Sequence, residues 1–207
     1  WLSGSLVKVA PSRLAFHLTL ACAIYAAILW TAQTIMPRPL AEAPKRLRLT
    51  ALAMAVLVLV QIYLGALVAG TDAGMAYNTW PFIDGSFVPS AERLFFIVPA
   101  WRNIFEHTLT VQFDHRMLAY GIWILAMLNV VDAARQRRAI IGALVLAAAV
   151  SVQAALGILT LLHQVPLALA LPHQITAMIV FSVAIVYAER LSHRAPVWAL
   201  QAAGQAA

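Results

Sequence analysis

Long apolar runs dominate the hydrophobic pattern of this chain, and shorter polar connections separate them. Five runs are long enough to cross a hydrocarbon core of roughly 30 Å, which requires about 20 helical residues. They span residues 14–36, 49–69, 114–134, 139–162 and 167–188. Unpaired backbone groups are costly in lipid and the runs lack the alternation of barrel strands, so each is predicted to be an α-helix. The predicted fold class is all-α, a polytopic transmembrane helix bundle with five spans.

Composition and charge support a membrane environment. Apolar residues make up 63% of the 207 residues and charged residues only 11%, which leaves too little polar surface to cover a soluble globule of this size. Lysine and arginine outnumber acidic residues by 14 to 8, but they flank the apolar runs, as is typical of membrane helices. The lipid bilayer is therefore an expected partner and nucleic acid is not. The single cysteine, Cys22, lies in an apolar run and is predicted to be a small core residue.

Basic residues are distributed unequally between the two sides of the predicted bundle. Four lie between residues 37 and 48, three between 135 and 138, and two between 190 and 194. Lysine and arginine in short connections favour the cytoplasmic side. The first, third and fifth spans are thus predicted to run from outside to inside, with the C-terminus in the cytoplasm.

The connection over residues 70–113 is then external, and a segment this long in a compact protein is usually functional. It carries aromatic side chains of the kind that prefer the membrane interface, namely Trp80, Phe82, Phe87, Phe95, Phe96 and Trp101. Residues 91–107 are predicted to lie in the interface as an amphipathic helix. A catalytic role and a purely structural lid both stay open.

A weak internal repeat is also visible. Gly4 precedes His17 by 13 residues and Gly157 precedes His173 by 16, with a polar or proline-containing linker and an apolar helix in each case. If the repeat is real, the chain contains a complete four-helix half, preceded by the last helix of an earlier equivalent half. Three further helices are then expected before Trp1.

Three histidines carry the candidate chemistry, because ionisable residues inside a span are expensive and usually functional. His17, His115 and His173 each fall in the first turns of a span that runs from outside to inside, so all three should lie at one depth. Histidine nitrogen is a common axial ligand of heme iron, and two histidines on neighbouring helices can face each other across the porphyrin. His115 and His173 are the preferred ligands, whereas His17 considered alone fits an interfacial residue.

The surroundings of the two preferred histidines suit a flat apolar ligand. Small or aliphatic residues follow at helical spacing, Ala119 and Ile122 after His115, and Ala177 and Val180 after His173. Arg116 is positioned to pair with a heme propionate, since guanidinium matches carboxylate geometry.

The other polar candidates have simpler interpretations. His107, His163 and His193 are predicted to be solvated or interfacial, with His107 the next candidate ligand, and Gln61, Tyr63 and Gln153 are predicted to make helix-to-helix hydrogen bonds. A zinc site is less well supported than a heme site, because no group of four cysteine or histidine ligands has suitable spacing in the sequence. No phosphate-binding glycine loop or nucleophile arrangement is present in the sequence.

Two long, unusual strings point to a family: GALVAGTDAGMAYNTWPFIDGSFVP from Gly65 and NIFEHTLTVQFDHRMLAY from Asn103. They closely resemble the heme A synthase family in its proteobacterial and mitochondrial branch. The resemblance covers essentially the whole chain and corresponds to helices four to eight of a family that has eight helices in two similar halves. It implies an oxidoreductase of the bacterial inner membrane that oxidises the C8 methyl group of heme O, by successive hydroxylations, to the formyl group of heme A for cytochrome oxidase.

The resemblance also implies roles for individual residues. His115 in QFDHR and His173 in LPHQ match the two ligands of a b-type heme, and His17 in RLAFHL matches one ligand of the substrate heme. The partner of that third histidine and the glutamate proposed to act in catalysis belong to the half that precedes this sequence, so the catalytic residues are unknown here and activity of this portion alone is in question.

The implied organisation has three parts. Residues 1–48 hold the last helix of the substrate-heme half and a cytoplasmic linker, residues 49–190 the heme b half, and residues 191–207 a cytoplasmic tail. Heme O is the implied substrate, and heme O synthase, oxidase assembly factors and a second copy of the chain are further candidate partners.

Two rival functions stay open. A membrane cytochrome b that transfers electrons without modifying heme would use the same histidines, and the GTDAGMAYNTWP string is what argues against it. A small transporter would use the histidines as a proton relay.

Overall fold

The computed structural model describes residues 10–35 and 43–192. In chain order its helices are α1 (Pro11–Thr34), α2 (Lys45–Gly70), α3 (Ala73–Ala76), α4 (Ala91–Leu94), α5 (Asn103–Glu106), α6 (Thr108–Gln136), α7 (Ile140–Leu162) and α8 (Leu167–Ser192). The five long helices α1, α2, α6, α7 and α8 are each long and apolar enough to cross a membrane. The predicted all-α bundle with five spans is confirmed.

The largest difference in the spans is at the start of α6, which begins at Thr108 rather than at residue 114. Polar residues at this point end the apolar run in the sequence, but the helix continues through them. The Gln112 side chain is buried and donates a hydrogen bond to the Ala73 backbone oxygen at 2.7 Å. The additional turns therefore pack against the external segment rather than against lipid.

The prediction of a helix over residues 91–107 is wrong. This stretch contains α4, a 3₁₀ turn (Ala100–Arg102) and α5, with extended chain between them. Pro99 lacks an amide hydrogen and disfavours helical geometry at the residue before it, which interrupts the helix. The Asn103 side chain then fixes a compact turn, because it accepts a hydrogen bond from the Ile97 amide and donates to the Ile97 and Ala100 oxygens.

Four of the long helices form a closed ring. Helix α2 packs on α6, α6 on α7, α7 on α8, and α8 again on α2, so α6 and α8 occupy one diagonal. Helix α1 packs against α2 and α8 at the side of this ring. Helices α2 and α7 form the other diagonal, so a residue of α6 or α8 can pack on either of them.

Side-chain contacts fix the relative directions of the helices. Cys22 Sγ lies 3.9 Å from Met178 Sδ, and Tyr25 Oη lies 2.8 Å from Ser182 Oγ, so α1 and α8 run parallel. Arg46 at the start of α2 pairs with Asp132 near the end of α6 at 3.2 Å, so these two helices are antiparallel. Asn129 near the end of α6 donates to Tyr187 near the end of α8, so these two are parallel as well. The starts of α1, α6 and α8 therefore share one end of the bundle, which we call the histidine end.

Polar contacts close the opposite end. Besides the Arg46–Asp132 pair, Asn129 of α6 donates to Tyr187 Oη of α8 at 3.0 Å across the diagonal. The Tyr187 ring also lies against Gly142 of α7, where an added Cβ would be only 2.7 Å from it. The diagonal helices thus touch at this end.

Some predicted features fall outside the described residues. These are Gly4 of the repeat, the connection over residues 36–42, and His193 with the rest of the C-terminal tail.

Candidate functional site

His115 lies near the start of α6 and packs on α2. The Nε2 atom of Gln61 is 3.0 Å from His115 Nδ1 and donates to the His115 backbone oxygen at 2.9 Å. One turn farther along α2, a Cβ added to Gly65 would lie 3.2 Å from His115 Cε1. That distance is tight for any real side chain, so glycine lets the imidazole lie against the α2 backbone. We call such a glutamine and glycine pair a cradle.

His173 in α8 has an equivalent cradle on α7. Gln153 Nε2 lies 3.5 Å from His173 Nε2. A Cβ added to Gly157 would lie 2.8 Å from His173 Cε1 and 3.4 Å from Nδ1. As on α2, the glutamine precedes the glycine by four residues, so both face the same histidine.

The structure places these two predicted ligands at the same end of the bundle. His115 and His173 stand on the diagonal helices α6 and α8. At the opposite end the same two helices meet through Asn129 and Tyr187. At the histidine end each of them carries one of the two imidazoles, His115 packed on α2 and His173 packed on α7.

Three polar atoms around the cradles are buried without a hydrogen-bond partner among the described residues. They are Oε1 of Gln61, Oε1 of Gln153 and Nδ1 of His173. Buried polar atoms without partners are uncommon in folded proteins and usually have a reason. Asn129 and Ser192 also have such atoms at the opposite end, but these three lie beside the two histidines, which makes the histidine end the candidate site.

The residues that follow each histidine differ in burial. Ile122 and Val180 are buried in the main apolar core of the bundle. Ala119 and Ala177 are closer to the histidines, small, and only partly buried. Small side chains therefore lie nearest the histidines, and larger buried ones lie one turn farther along each helix.

His17 lies at the same level but elsewhere in the bundle. In the contacts between α1 and α8, the two residues are 156 or 157 positions apart in the sequence. His17 and His173 have the same separation, so they lie at the same level of the bundle. Its side chain is exposed on α1. Within the described residues, no hydrogen bond or ring contact joins His17 to another histidine.

The other described histidines lie outside the cradled pair. His107 is at the residue before α6, where its Nδ1 is 3.0 Å from Thr110 Oγ1 and its ring stacks on Phe96. His163 is exposed after α7, with Nδ1 2.9 Å from the Leu159 oxygen. Both interactions explain these residues without a ligand.

Arg116 is buried and holds the external segment against α6. Its Nη2 donates to the Tyr77 oxygen at 3.0 Å and to Gln112 Oε1 at 2.8 Å, and its Nη1 donates to the Phe82 oxygen at 3.2 Å. Its Nε is buried with no hydrogen-bond partner among the described residues. Arg116 therefore anchors a loop, and one of its donor atoms is left for a further acceptor.

Further contacts extend this attachment along one face of α6. Thr110 donates to the Leu94 oxygen, and Phe87 stacks on Tyr120 with ring centroids 6.0 Å apart. Gly74 of α3 lies against Val165 in the connection between α7 and α8. The external segment thus covers the histidine end from α6 to α8.

Sequence reasoning did not identify the cradles. Gln61 and Gln153 were predicted only to join helices, although both begin the same five-residue pattern, QIYLG at 61–65 and QAALG at 153–157. This pattern was the available signal. It was missed because neither glutamine is near a histidine in the sequence, and their partners are 54 and 20 residues away.

The fold and the site define an integral membrane protein, a helical bundle that holds two cradled histidines between diagonal helices. The model of the family described as cytochrome oxidase assembly protein matches residues 2–185. The chain belongs to this family.

Curated relatives carry a more specific name. The chain is 56% identical over 191 residues to the heme A synthase of Rhodopseudomonas palustris strain BisA53, a match that covers 91% of this chain and 53% of that protein. It is 55% identical over 190 residues to the heme A synthase of Bradyrhizobium diazoefficiens, with coverage of 91% and 53%. The predicted resemblance is confirmed, and the chain spans about half the length of the curated relatives it matches.

Proposed function

We propose that this chain is the C-terminal portion of a heme A synthase of a bacterial inner membrane, the enzyme that oxidises the C8 methyl group of heme O to the formyl group of heme A. Two features support the proposal. Relatives that carry this name are 53–56% identical to the chain. The observation that carries it is the pair of histidines cradled between diagonal helices.

The residues at the histidine end fit a b-type heme as resident cofactor. Two histidine nitrogens are a common axial ligand set, and His115 and His173 stand at one end of the bundle on the two helices of one diagonal. The unpartnered polar atoms and the small Ala119 and Ala177 suit the same ligand. Such a heme supplies one-electron redox chemistry when bound.

The chain's own residues then have distinct tasks. His115 and His173 would bind the iron, and Arg116 would hold a propionate through its free Nε. The external segment, anchored by Arg116, would cover the site and exclude water from it. Exclusion of water strengthens the electrostatic interactions inside such a site.

We propose that the substrate site is shared with a part of the protein beyond this chain. Residues 49–190 would form the heme b half, and residues 1–48 the last helix of the substrate half with its linker, leaving 191–207 as the tail. His17 would be one ligand of the substrate heme. Its partner and the catalytic groups would come from the portion of the longer relatives that this chain does not match.

The activity can be tested in cells that make heme O but lack heme A synthase. Expression of the full-length gene should convert the extracted heme from heme O to heme A, detected by its mass and by its formyl-shifted hemochrome spectrum. Cells with an empty vector provide the control. Heme O alone, together with a low-spin b-type spectrum of the purified protein, would instead favour the electron-transfer cytochrome.

We also predict the orientation of the bundle, with residue 45 in the cytoplasm. In a Cys22→Ala background, the cysteine of Lys45→Cys should react with an impermeant thiol reagent only after cells are opened, because basic residues at this end favour the inner side. Val98→Cys in the external segment, where the side chain is 84% exposed, is the control that should react in intact cells. Labelling of position 45 in intact cells would overturn the orientation.

A further prediction is that this 207-residue chain binds one heme rather than two. His17 is exposed and no described histidine joins it, and a single axial histidine leaves the other side of the macrocycle open. Pyridine hemochrome analysis against protein concentration should give one heme per chain. A ratio of two would show that His17 ligates iron in this chain by itself.

A further inference from the structure

A groove opens where α1, α2 and α8 meet, at the end of the bundle opposite the histidine end. Its volume is about 270 Å³, and it is lined by Trp30 of α1, Arg48 and Leu52 of α2, and Ser192 of α8. Trp30 and Leu52 also pack against the main apolar core. The groove therefore combines an apolar wall with a positively charged side chain.

The first turn of α2, which forms one side of this groove, is strongly positive. Lys45, Arg46 and Arg48 lie in it without an acidic residue, and no side-chain hydrogen bond caps the helix. Cations are unfavourable at this end of a helix, because its dipole is already positive there and its first amides have no helical partner. Arg46 is paired with Asp132, but within residues 10–35 and 43–192 neither Lys45 nor Arg48 has a side-chain ion pair or hydrogen bond. A bound anion would offset this unfavourable charge.

The described residues that line the groove include no carboxylate to supply that negative charge. Glu189 of α8 is fully buried and is not a lining residue. Ser192 lines the groove, and its Oγ is buried without a hydrogen-bond partner in the described part of the chain. Because a serine hydroxyl can donate to an anionic oxygen, an anion in the groove is a suitable partner for it.

The position of the groove narrows the class of anion. It lies at one end of three helices that are each long and apolar enough to cross a membrane, which is the depth of lipid headgroups. Within one turn of Trp30 and Arg48, the side chains of Ile28 and Leu49 are exposed, as expected of a lipid-facing surface. A free phosphate would use the cation but not the apolar wall, whereas a phospholipid uses both. Basic pockets between membrane helices are suited to anionic headgroups.

We propose that this groove binds the headgroup of an anionic phospholipid. The phosphodiester accepts hydrogen bonds from Arg48 and from the Ser192 hydroxyl. The start of one acyl chain packs on Trp30 and Leu52. This inference goes beyond the proposed function and does not depend on the heme site, because the groove and the two histidines lie at opposite ends of the bundle.

Native mass spectrometry of the full-length protein in detergent tests the site, with dioleoylphosphatidylglycerol as the probe and zwitterionic dioleoylphosphatidylcholine as the comparison. The wild type should bind one phosphatidylglycerol more tightly than phosphatidylcholine. Arg48→Gln should weaken phosphatidylglycerol binding about fivefold, the effect expected for one basic residue at an anionic headgroup, and leave phosphatidylcholine binding unchanged. Arg135→Gln is the matched control, because Arg135 is exposed at the same end and does not line the groove. It should bind phosphatidylglycerol as the wild type does.

Ser192→Phe is a second test that leaves the charge in place, since the larger side chain should fill the groove and exclude the lipid. A wild-type gel-filtration profile shows that each variant is folded. Wild-type affinity for phosphatidylglycerol in both the Arg48 and the Ser192 variant would overturn the proposal. An equal loss in Arg135→Gln would also overturn it, since that result means general attraction to surface charge, and so would equal competition by inorganic phosphate, which means a free-anion site. These measurements do not involve heme, so they fail or succeed independently of the proposed function.

Discussion

Replacement of His115 or His173 by alanine is expected to abolish the six-coordinate low-spin heme spectrum and to remove most of the bound heme. Each imidazole supplies one of two axial ligands, so either change opens one side of the iron. A ligand that binds only the folded state also stabilises it, by about 2.7 kcal/mol when it is present at a hundredfold its Kd. Heme content from pyridine hemochrome analysis and the thermal unfolding temperature should therefore fall together.

His163→Ala is the matched control for these variants. This histidine is exposed and its Nδ1 lies 2.9 Å from the Leu159 backbone oxygen, so both spectrum and unfolding temperature should be unchanged. His193→Ala, in the tail, is expected to behave in the same way. Full heme occupancy with an unaltered spectrum in both the His115 and the His173 variants would end the ligand assignment, and His107 would be tested next.

The second large effect is expected from Arg116→Met, which should release the external segment. This change removes hydrogen bonds to the Tyr77 and Phe82 oxygens and to Gln112. Hydrogen bonds to a charged group contribute about 1.5–3 kcal/mol each, and their loss leaves buried acceptors unpaired. We expect a loss of roughly 3 kcal/mol in unfolding free energy, with faster proteolytic cleavage between residues 77 and 82.

The same variant separates the two roles given to Arg116. Faster cleavage with normal heme content would mean that it is only a loop anchor, whereas lower heme affinity in addition would support the propionate contact. Arg116→Lys should not restore stability, because one ammonium cannot reproduce the spacing of a guanidinium fork. Unchanged cleavage and unchanged stability would contradict both roles.

Arg102→Met is the control, since Arg102 forms an exposed pair with Glu106 one helical turn away. The hydrogen bond to Glu106 and the negative charge of that carboxylate raise the pKa of Arg102. Solvent-exposed pairs of this kind contribute little to stability. Neither the unfolding temperature nor the cleavage pattern should change.

The spans were predictable because a helix in lipid forms all its backbone hydrogen bonds internally, and its length and hydropathy can be read from the sequence. The structure of the external segment was not predictable in this way. Its aromatic residues suggested an interfacial helix, but Pro99 and the hydrogen bonds of Asn103 divide it. Likewise α6 extends to Thr108 because Gln112 finds a partner at Ala73, 39 residues away, and no local pattern encodes such a contact.

The sequence by itself determined the all-α membrane fold, its five spans and the presence of three histidines near the starts of alternate helices. Only the tertiary structure decided that His115 and His173 stand on diagonal helices, that His17 is exposed, and that Gln61 and Gln153 contact the two rings. The physical reason is that lipid-facing and protein-facing sides of a membrane helix are both apolar, so hydropathy does not specify which sides meet. That choice is made by close packing of small residues such as Gly65 and Gly157 and by hydrogen bonds between helices.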